Sequence, residues 1–425
     1  MWPSMKRPTS RIHTFVTVIA VAATYGVGVV AFGQTPPADL EAFINTVPTA
    51  AQLRMWHDKL GSKLHMAGTL EDELSVAEQV KAFQSMGLEP VTHDFWAYLC
   101  RPTEALLTIP YPTYTVSLPV REDPLQQDPF SQDKSTMPAF NAYSADGDVT
   151  AGVVYANYGT KADFDKLREL KIDCTGKIVL ARYGKNFRGY KAKFAEEAGA
   201  AGLIIYSDPA DVGYMQGVPY PEGGWANDSY VQRGSIDTLP YPGDPLTPGI
   251  AATRDAKRLD PADVALPRIP VQCVGYRSGR EIISRMTGTP LPRELVATWQ
   301  GGVPYAYRLT SGPDFKLRLK VKLHREVLKS SNVIATIPGA IWPDQKVIIG
   351  CHHDAWCFGA GDPLSGTIVV FEAARSFAEA AKRGFKPART LVFATWGAEE
   401  FGIIGSTEYC EQFGSDLTGN TVAYI

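Results

Sequence analysis

Two clusters of polar residues in the last quarter of the sequence have the residue types that hydrolytic metal sites use. His352, Asp354 and Asp362 fall within eleven positions, and Glu399 and Glu400 are adjacent. Imidazole nitrogens and carboxylate oxygens are usual protein ligands of zinc, and zinc lowers the pKa of a bound water to about 7. A nearby carboxylate can then remove a proton from that water. The pattern therefore predicts a site for metal-assisted hydrolysis.

Apolar segments precede both clusters and predict the strands that position them. Residues 346–350 and 390–395 are typical of buried strands, and residues 421–425 begin a third. Between the first two we expect a helix that Ser365 caps and Gly384 ends. Ligands of open parallel sheets bind beyond the carboxyl ends of the strands, so both clusters should meet at one edge.

The residue types also suggest how the groups divide the work. A histidine at a strand tip is aimed by the sheet, and Asp354 could accept the other imidazole N–H of His352. Asp362 lies in a glycine-rich loop, and its two oxygens could bridge two cations. Cys351 and Cys357 are the rival ligands. We leave them out because thiols of an exported protein are more often oxidised or buried.

The N-terminus has the pattern of an export signal. Three cationic residues precede an apolar run over 15–32, and a polar stretch follows it. This order is typical of a secretory signal. The run is also near the minimum length for a spanning helix, so a retained single-pass anchor is the alternative. Both interpretations place residues 40 onward outside the cytoplasm, either secreted, periplasmic or membrane-anchored.

Composition narrows the class of protein. The 425 residues include 42 basic and 45 acidic side chains, which leaves a net charge of −3 and no basic excess for nucleic acid. The six cysteines form no CxxC pair, so a structural zinc knuckle is not expected. Neither a GxSxG elbow nor a phosphate-binding loop with Lys-Ser/Thr occurs, and HExxH is absent.

Hydrophobic periodicity gives a coarse secondary structure. Residues 39–87 have a helical pattern in which Leu70, Leu74 and Phe83 recur at one face, with Thr69 and Asp72 as a loose capping box. Residues 100–142 predict loops and short strands. Strands then alternate with helices over residues 152–206, which indicates a largely parallel sheet. Residues 209–268 show no clear period, and strand and helix return at 269–286.

Long motifs within these regions resemble a known family. GCHHDAWCFGAGDPLSG and TLVFATWGAEEFGIIGSTEY are similar to the zinc peptidases of the glutamate carboxypeptidase II type, also called N-acetylated-α-linked acidic dipeptidases. The region from GVVYANYG to GDPLTPG resembles that family's protease-associated domain. The resemblance implies an α/β fold: a zinc exopeptidase core with a mixed, mostly parallel sheet, interrupted by an inserted α/β domain.

The resemblance also implies a domain organisation. Residues 1–34 would be the signal or anchor, 40–98 the first peptidase segment, 99–327 the inserted domain and 328–425 the second peptidase segment. The family completes its metal shell with an aspartate and a histidine further along the chain, and it dimerises through a C-terminal helical domain. We therefore expect a truncated chain that lacks two metal ligands, with little activity by itself, and a homodimer only for the full-length protein.

Roles for the polar clusters follow from the same resemblance. His352 would bind one zinc ion, Asp362 would bridge two, and Glu400 would bind the second. Glu399 would be the general base and acid, and Asp354 would orient His352. The full-length enzyme would thus carry two Zn²⁺ per chain.

Further roles are carried over from the inserted domain and its contacts. Arg188 matches an arginine that grips the C-terminal carboxylate of a small peptide substrate, and Asn227 matches a side-chain-binding asparagine, although the spacing around it departs from the pattern. A structural Ca²⁺ site would include the residues Thr247, Ile250, Glu408 and Glu411. Ile250 stands where the family usually has tyrosine, a change that the site would tolerate if the ligand there is a backbone carbonyl.

The function expected from the resemblance is removal of a C-terminal, acidic residue such as glutamate from small peptides. Two alternatives stay open. One is an aminopeptidase on the same core. Arg188 disfavours it, because that cation suits a free C-terminal carboxylate. The other is a non-catalytic binding protein like the transferrin receptor, which shares this architecture without a working metal set; the presence of His352, Asp362, Glu399 and Glu400 disfavours it.

Overall fold

The computed structural model describes residues 38–425, which form two sheets with helices packed around them. The predicted export segment lies outside the described residues. The helices are α1 (Ala38–Thr46), α2 (Ala50–Leu60), α3 (Leu70–Ser85), α4 (Lys161–Glu169), α5 (Arg188–Glu197), α6 (Tyr276–Ile283), α7 (Val296–Trp299), α8 (Leu364–Lys382), α9 (Glu399–Gly402) and α10 (Ile404–Asn420). The strands are β1 (Val91–Pro110), β2 (Thr115–Leu118), β3 (Gly147–Ala151), β4 (Val153–Tyr155), β5 (Ile178–Arg182), β6 (Gly202–Tyr206), β7 (Val271–Val274), β8 (Leu317–Ile337), β9 (Trp342–His352), β10 (Arg389–Trp396) and β11 (Thr421–Tyr424).

The larger sheet carries the two polar clusters. Its strand order is β11-β9-β10-β8-β1-β2, with β3 also paired to β8. Strands β9, β10 and β11 run parallel, whereas β8 is antiparallel to both β10 and β1. The predicted strands at 346–350, 390–395 and 421–425 are all present, and β9 and β10 extend further than the apolar runs indicate. The sheet is thus mixed, with a parallel part at one side.

The smaller sheet is entirely parallel. Its order is β4-β5-β6-β7, and every residue of these four strands is buried. Helices α4, α5 and α6 connect or flank the strands, as the alternating pattern predicts. Strands that are buried on both faces consist of continuous apolar runs. This part of the fold can therefore be predicted from the sequence.

Helix α8 packs the first core helices onto the larger sheet. Phe371 on α8 lies against Trp56 of α2 and Phe83 of α3, with ring centroids 5.4 and 5.0 Å apart. The same apolar cluster includes Val333 and Phe393 of the sheet. Burial of these aromatic side chains stabilises the helices, because each removes a large apolar area from water.

The expected apolar face of α3 is correct at Phe83, which is buried, and wrong at Leu70 and Leu74, which are exposed. In their place the helix buries Asp72 and Val76. Apolar residues at steps of three and four define two overlapping stripes, and a polar contact selects between them. Asp72 accepts a hydrogen bond from Ser330 Oγ on β8 at 2.8 Å, which turns that stripe toward the sheet.

Two predicted caps also differ in the structure. Thr69 caps α3 by accepting the N–H of Asp72, but the Asp72 carboxylate accepts from Gly68 N at 3.0 Å rather than from Thr69, so the capping box is not reciprocal. Ser365 is not the cap of α8. The helix begins at Leu364, and Ser365 Oγ donates to the carbonyl of Gly361 at 2.6 Å.

Residues 100–110 form a longer strand than the sequence predicts. They belong to β1, which pairs with β8 through almost its full length, with an irregularity between Pro102 and Glu104. The prolines and threonines of this segment predict loops and short strands, but the long partner strand β8 supplies hydrogen bonds along the pair. Within the described part of the chain, none of the helices has the length and apolar character needed to cross a membrane.

Candidate metal and catalytic site

The carboxyl ends of β9 and β10 bring the two polar clusters together. Trp396, the last residue of β10, is paired with His352, the last residue of β9. The loop after β9 carries Asp354 and Asp362, and the turn after β10 carries Glu399 and Glu400. Parallel pairing therefore gathers residues that are almost fifty positions apart along the chain.

His352 is held between carboxylates on both sides of its ring. Its Nε2 lies 3.0 Å from Asp362 Oδ1 and 3.8 Å from Glu399 Oε2. Its Nδ1 lies 3.1 Å from the backbone carbonyl of Asp354 and 3.6 Å from the Asp354 carboxylate. Nδ1 thus donates to the backbone carbonyl of Asp354 and not to the carboxylate expected to accept it, and Nε2 faces the other acidic residues.

The Asp354 carboxylate also accepts two backbone hydrogen bonds that the sequence does not indicate. It accepts the backbone N–H of Glu399 at 2.8 Å and of Glu400 at 3.3 Å. The turn before them is tight, since Ala398 adopts a left-handed conformation with φ of 56°. Asp354 therefore links the loop after β9 to the turn after β10, and it fixes the backbone from which both glutamates project.

Asn332 supports the same turn from the neighbouring strand, and sequence reasoning missed it. This buried residue of β8 accepts the N–H of Gly397 at 2.9 Å and donates to the carbonyl of Gly405 at 2.7 Å. A side chain at Gly405 would meet Asn332 Oδ1, because an added Cβ would lie 2.3 Å from it. A polar residue within an apolar strand, SNVIATI, is the signal that could have identified Asn332.

Burial and mutual charge shift the pKa values of the cluster. Burial opposes the charged form of His352, but the hydrogen bond and charge of Asp354 and the charges of Glu399 and Glu400 outweigh it and raise its pKa to about 9. Burial and the charges of Asp354 and Asp362 raise the pKa of Glu400 to about 8. Burial also raises the pKa of Glu399, against the opposing charge of His352.

The donor types fit a divalent cation, although the side chains approach one another pairwise. Among residues 38–425, no three His, Cys, Asp or Glu side chains converge into a group that could hold a metal ion. Nε2 of His352 nevertheless faces the carboxylates of both Asp362 and Glu399. Imidazole with carboxylates is a donor set that suits zinc. His352, Asp362 and Glu400 are the residues that would hold it.

Arg188 lies at the beginning of α5, within range for its charge to act on Glu399. Its guanidinium packs against Gly234, where an added Cβ would lie 2.2 Å from Cζ, and Nη1 donates to Ser235 O at 3.3 Å. Its charge acts to lower the pKa of Glu399. Within residues 38–425, Arg188 forms no ion pair with a carboxylate.

Asn227 has its polar atoms engaged within its own loop. Its Oδ1 accepts the N–H groups of Ser229 and Tyr230, each at 3.1 Å, and its Nδ2 donates to the carbonyl of Tyr220 at 3.3 Å. The side chain therefore shapes the loop around Tyr230. Its role as a substrate ligand stays a prediction.

A second acidic group joins the inserted region to α10. Glu408 is fully buried and accepts the N–H groups of Asp244 and Ala252 at 2.8 and 2.6 Å. Asp244, which sequence reasoning missed, accepts the Thr247 hydroxyl at 2.9 Å, and Oε2 of Glu411 is buried without a hydrogen-bond partner. We call Asp244, Thr247, Glu408 and Glu411 the junction cluster. Carboxylate and hydroxyl oxygens are donor types that suit calcium, although within residues 38–425 no three acidic side chains converge on a common point.

Ile250 lies beside this cluster but is half exposed. Its backbone N–H donates to the carbonyl of Thr247 at 3.2 Å. Its apolar side chain brings no metal ligand, so only the backbone carbonyl could take the role expected for it. That role stays a prediction.

Comparison with known families identifies the class of protein. Residues 332–425 match Peptidase family M28, and residues 137–239 match the PA domain. The chain therefore contains a Peptidase family M28 segment and a PA domain. Both the resemblance expected from the motifs and the fold class are confirmed. The PA match lies inside the predicted inserted domain, whose bounds stay a prediction.

Individual relatives carry both exopeptidase names. The chain is 41% identical to aminopeptidase NAALADL1 of Mus musculus over 67% of its own length and 39% of that protein's. It is 41% identical to a glutamate carboxypeptidase 2 homolog of Caenorhabditis elegans over 67% and 38% of the two lengths. It is 37% identical to a probable glutamate carboxypeptidase of Arthroderma benhamiae over 85% and 50%. The chain thus spans about half or less of these relatives.

Solved structures show the same fold. An aminopeptidase from Aneurinibacillus sp. strain AM-1 is similar with a TM-score of 0.50 and 22% identity, over 90% of this chain and 71% of that one. A Peptidase M28 precursor from Shewanella amazonensis SB2B is similar with a TM-score of 0.56 and 17% identity, over 91% and 72%.

Proposed function

We propose that this chain forms the catalytic part of a zinc-dependent exopeptidase that removes a C-terminal, acidic residue from small peptides. The observation that carries the proposal is Arg188. Arg188 has no carboxylate partner among the described residues, and its charge acts on Glu399, so the terminal carboxylate of a peptide could supply the missing partner. Guanidinium groups match carboxylates well, since two parallel N–H groups can donate to both oxygens.

The residues of the strand edge would divide the reaction among them. Zinc, held by His352, Asp362 and Glu400, would supply Lewis-acid activation of water and of the scissile carbonyl. Glu399 would take a proton from the attacking water and pass it to the leaving amine. Its burial raises its pKa, which makes it a better base than an exposed glutamate.

Asp354 would hold His352, Glu399 and Glu400 in position relative to one another. It contacts Nδ1 of His352 and the backbone N–H groups of Glu399 and Glu400, so one carboxylate orients a zinc ligand and the general base together. Residues that hydrogen-bond to metal ligands commonly orient those ligands in this way. Arg188 would fix the end of the peptide and so place the last peptide bond at the zinc.

The remaining parts of the proposal extend the resemblance. We propose two zinc ions per chain in the complete enzyme and one calcium ion at the junction cluster. We also propose that the complete protein is an extracytoplasmic homodimer whose N-terminal segment is a cleaved signal or an anchor.

The carboxylate-binding role of Arg188 has a direct test. Two peptides that differ only in a free or an amidated C-terminus should differ in kcat/KM by about a hundredfold, because an amide loses the charge-assisted hydrogen bonds. Arg188→Ala should remove most of that difference. Arg168→Ala, on the exposed side of α4, is the matched control. Equal hydrolysis of both peptides would refute the role.

An aminopeptidase is the second candidate, because the mouse relative bears that name. The two functions need opposite ends of the substrate. An N-acetylated peptide with a free C-terminus should be a substrate of the proposed carboxypeptidase and not of an aminopeptidase. Hydrolysis of only those peptides that have a free amino terminus would favour the second candidate. If the complete protein bound no zinc, a non-catalytic role would replace both.

A further inference from the structure

The loop between β5 and α5 has an unfavourable backbone conformation and leads directly into Arg188. This β5–α5 loop covers residues 183–187, and Arg188 is the first residue of α5. Gly184 and Lys185 are both left-handed, with φ of 103° and 66°. A left-handed conformation at a residue with a side chain costs free energy, so contacts from outside the loop must hold it.

The first turn of α5 lacks the usual side-chain cap. Phe187 is the N-cap residue, and its side chain accepts no hydrogen bond from the first N–H groups of the helix. Ser, Thr, Asp or Asn usually supplies that acceptor. The capping residue therefore does not fix the helix end from which Arg188 projects.

Lys191, one turn further along α5, reaches back to the β5–α5 loop. Its Nζ donates to the carbonyl of Gly184 at 2.8 Å, to Asn186 Oδ1 at 2.6 Å and to the carbonyl of Tyr158. An ammonium group has three N–H donors, so all three are used. Tyr158 follows β4, which pairs in parallel with β5. Lys191 thus joins the segments that follow two neighbouring strands.

Tyr158 is itself held by a polar network. The guanidinium of Arg182 lies 4.3 Å from the centroid of the Tyr158 ring, and the Tyr158 hydroxyl donates to Asp211 Oδ1 at 2.7 Å. Arg182 also donates to Asp211 Oδ2 through Nε at 3.0 Å and Nη2 at 2.8 Å. The carbonyl that Lys191 contacts after β4 is therefore a fixed anchor for the ammonium group.

The burial of Lys191 shows that its hydrogen bonds have to offset a large cost. The side chain is fully buried, and its three acceptors are all uncharged. Burial lowers the pKa of Lys191 to about 8, against the opposing charges of Asp163 and Asp211. An apolar side chain would avoid this cost, but it could not bind the carbonyls of the loop. The physical reason for an ammonium group here is therefore its hold on the loop.

We propose that Lys191 is a positioning residue for recognition of the substrate's C-terminal carboxylate. It holds the β5–α5 loop and the first turn of α5, and so keeps Arg188 in place. Lys191 does not bind the substrate itself, because its three donors are used within the protein. The inference rests on the proposed function, from which it takes the role of Arg188.

Steady-state kinetics of the complete, zinc-loaded protein with the free and amidated peptides test this role. Lys191→Met keeps the length of the side chain and removes the ammonium group. It should raise KM for the free-acid peptide about tenfold and leave kcat unchanged, because a displaced Arg188 weakens binding and not the chemical step. KM for the amidated peptide should stay unchanged. Lys193→Met, on the exposed side of α5, is the matched control.

A second variant covers the case in which Lys191→Met does not fold. Asn186→Ala removes one of the three acceptors from a half-buried position of the loop. It should raise KM for the free-acid peptide severalfold, again without a change in kcat. An unchanged KM for this peptide in the variants that fold would overturn the inference. An equal fall in kcat for both peptides would also overturn it, since it would indicate a general structural role.

Hydrogen exchange tells a failure of this inference from a failure of the proposed function. Backbone amides of residues 184–190 should exchange faster in Lys191→Met than in the wild type, and at the wild-type rate in Lys193→Met. If the wild-type protein hydrolyses both peptides equally, the proposed function fails. Faster exchange would then still support the hold of Lys191 on the segment that carries Arg188, and unchanged exchange would overturn it.

Discussion

Burial disfavours the charged form of the carboxylates in two acidic clusters of this protein, but the groups around those carboxylates differ. Burial raises the pKa of Glu400 at the strand edge to about 8 and that of Glu408 at the junction cluster to about 7. Glu408 accepts two backbone N–H groups, which act against the shift. Glu400 meets the charges of Asp354 and Asp362 instead, which add to it.

The difference separates a structural carboxylate from a reactive one. The Glu408 carboxylate accepts hydrogen bonds from the inserted region. These bonds hold that region against α10, which gives Glu408 a structural role. Among the described residues, the carboxylates of Glu399 and Glu400 accept no hydrogen bond, and His352 is the nearest cation to Glu399, at 3.8 Å. Carboxylates left in this state are available for a metal ion and a proton.

The largest expected effect tests the reactive side of this comparison. Glu399→Gln should lower kcat by about 10²–10⁴-fold, because the general base is lost. Zinc content, measured by metal analysis, should stay unchanged. Glu379→Gln on the exposed face of α8 is the matched control. Turnover near the wild-type rate in Glu399→Gln would transfer the role of base to another residue.

Asn332 tests whether the reactive cluster depends on a hydrogen-bonded support. Asn332→Ala should lower the free energy of unfolding by about 3 kcal/mol, since it leaves the buried N–H of Gly397 and carbonyl of Gly405 without partners. Urea denaturation measures the change. Asn420→Ala, at the exposed end of α10, should have little effect. A loss of similar size in both variants would contradict the argument.

Calcium tests the structural side. Ca²⁺ at about 100 times its Kd should add about 2.7 kcal/mol to the stability of chelator-treated protein. Glu411→Gln should remove most of this gain, because Oε2 of Glu411 is the buried oxygen without a partner. Thermal unfolding with and without Ca²⁺ measures it, with Mg²⁺ as the control cation. No shift in the wild-type protein would make the junction cluster a purely hydrogen-bonded one.

The smallest effect concerns Asp237, which lies close to Gly402 beside the junction cluster. Burial raises its pKa from 3.8 to about 6, and a hydrogen bond from Leu239 N opposes the shift. The folded state therefore holds the proton more tightly, and this contribution to stability is lost as the pH rises from about 4 through 6.

Asp237→Asn should consequently gain stability relative to the wild type over that window, by about 2 kcal/mol. Urea denaturation at pH 4 and pH 7 measures the difference. Asp173→Asn, at an exposed turn, should show no such gain. A constant difference between Asp237→Asn and the wild type at both pH values would exclude the titration of Asp237.

The sequence predicted the strands that carry the site better than the residues that support it. Apolar runs identify β9, β10 and the four buried strands of the smaller sheet, because strands covered on both faces are apolar throughout. The strand-end rule then predicts that the two clusters meet at one edge, where the structure pairs His352 with Trp396. The exposed Leu70 and Leu74 show the limit of periodicity, since a polar contact of Asp72 decided which stripe of α3 faces the sheet.

By itself, the sequence determined the class of elements, the order of the strands along the chain and the residue types that meet at one edge. These follow from local patterns and from the geometry of parallel strands. Only the tertiary structure decided that Asp354 joins the two glutamates, that Asn332 holds their turn and that Glu408 ties α10 to the inserted region. Each of these is a contact between residues distant in the chain, and the hydrogen bonds that select them exist only after the sheets and helices have packed.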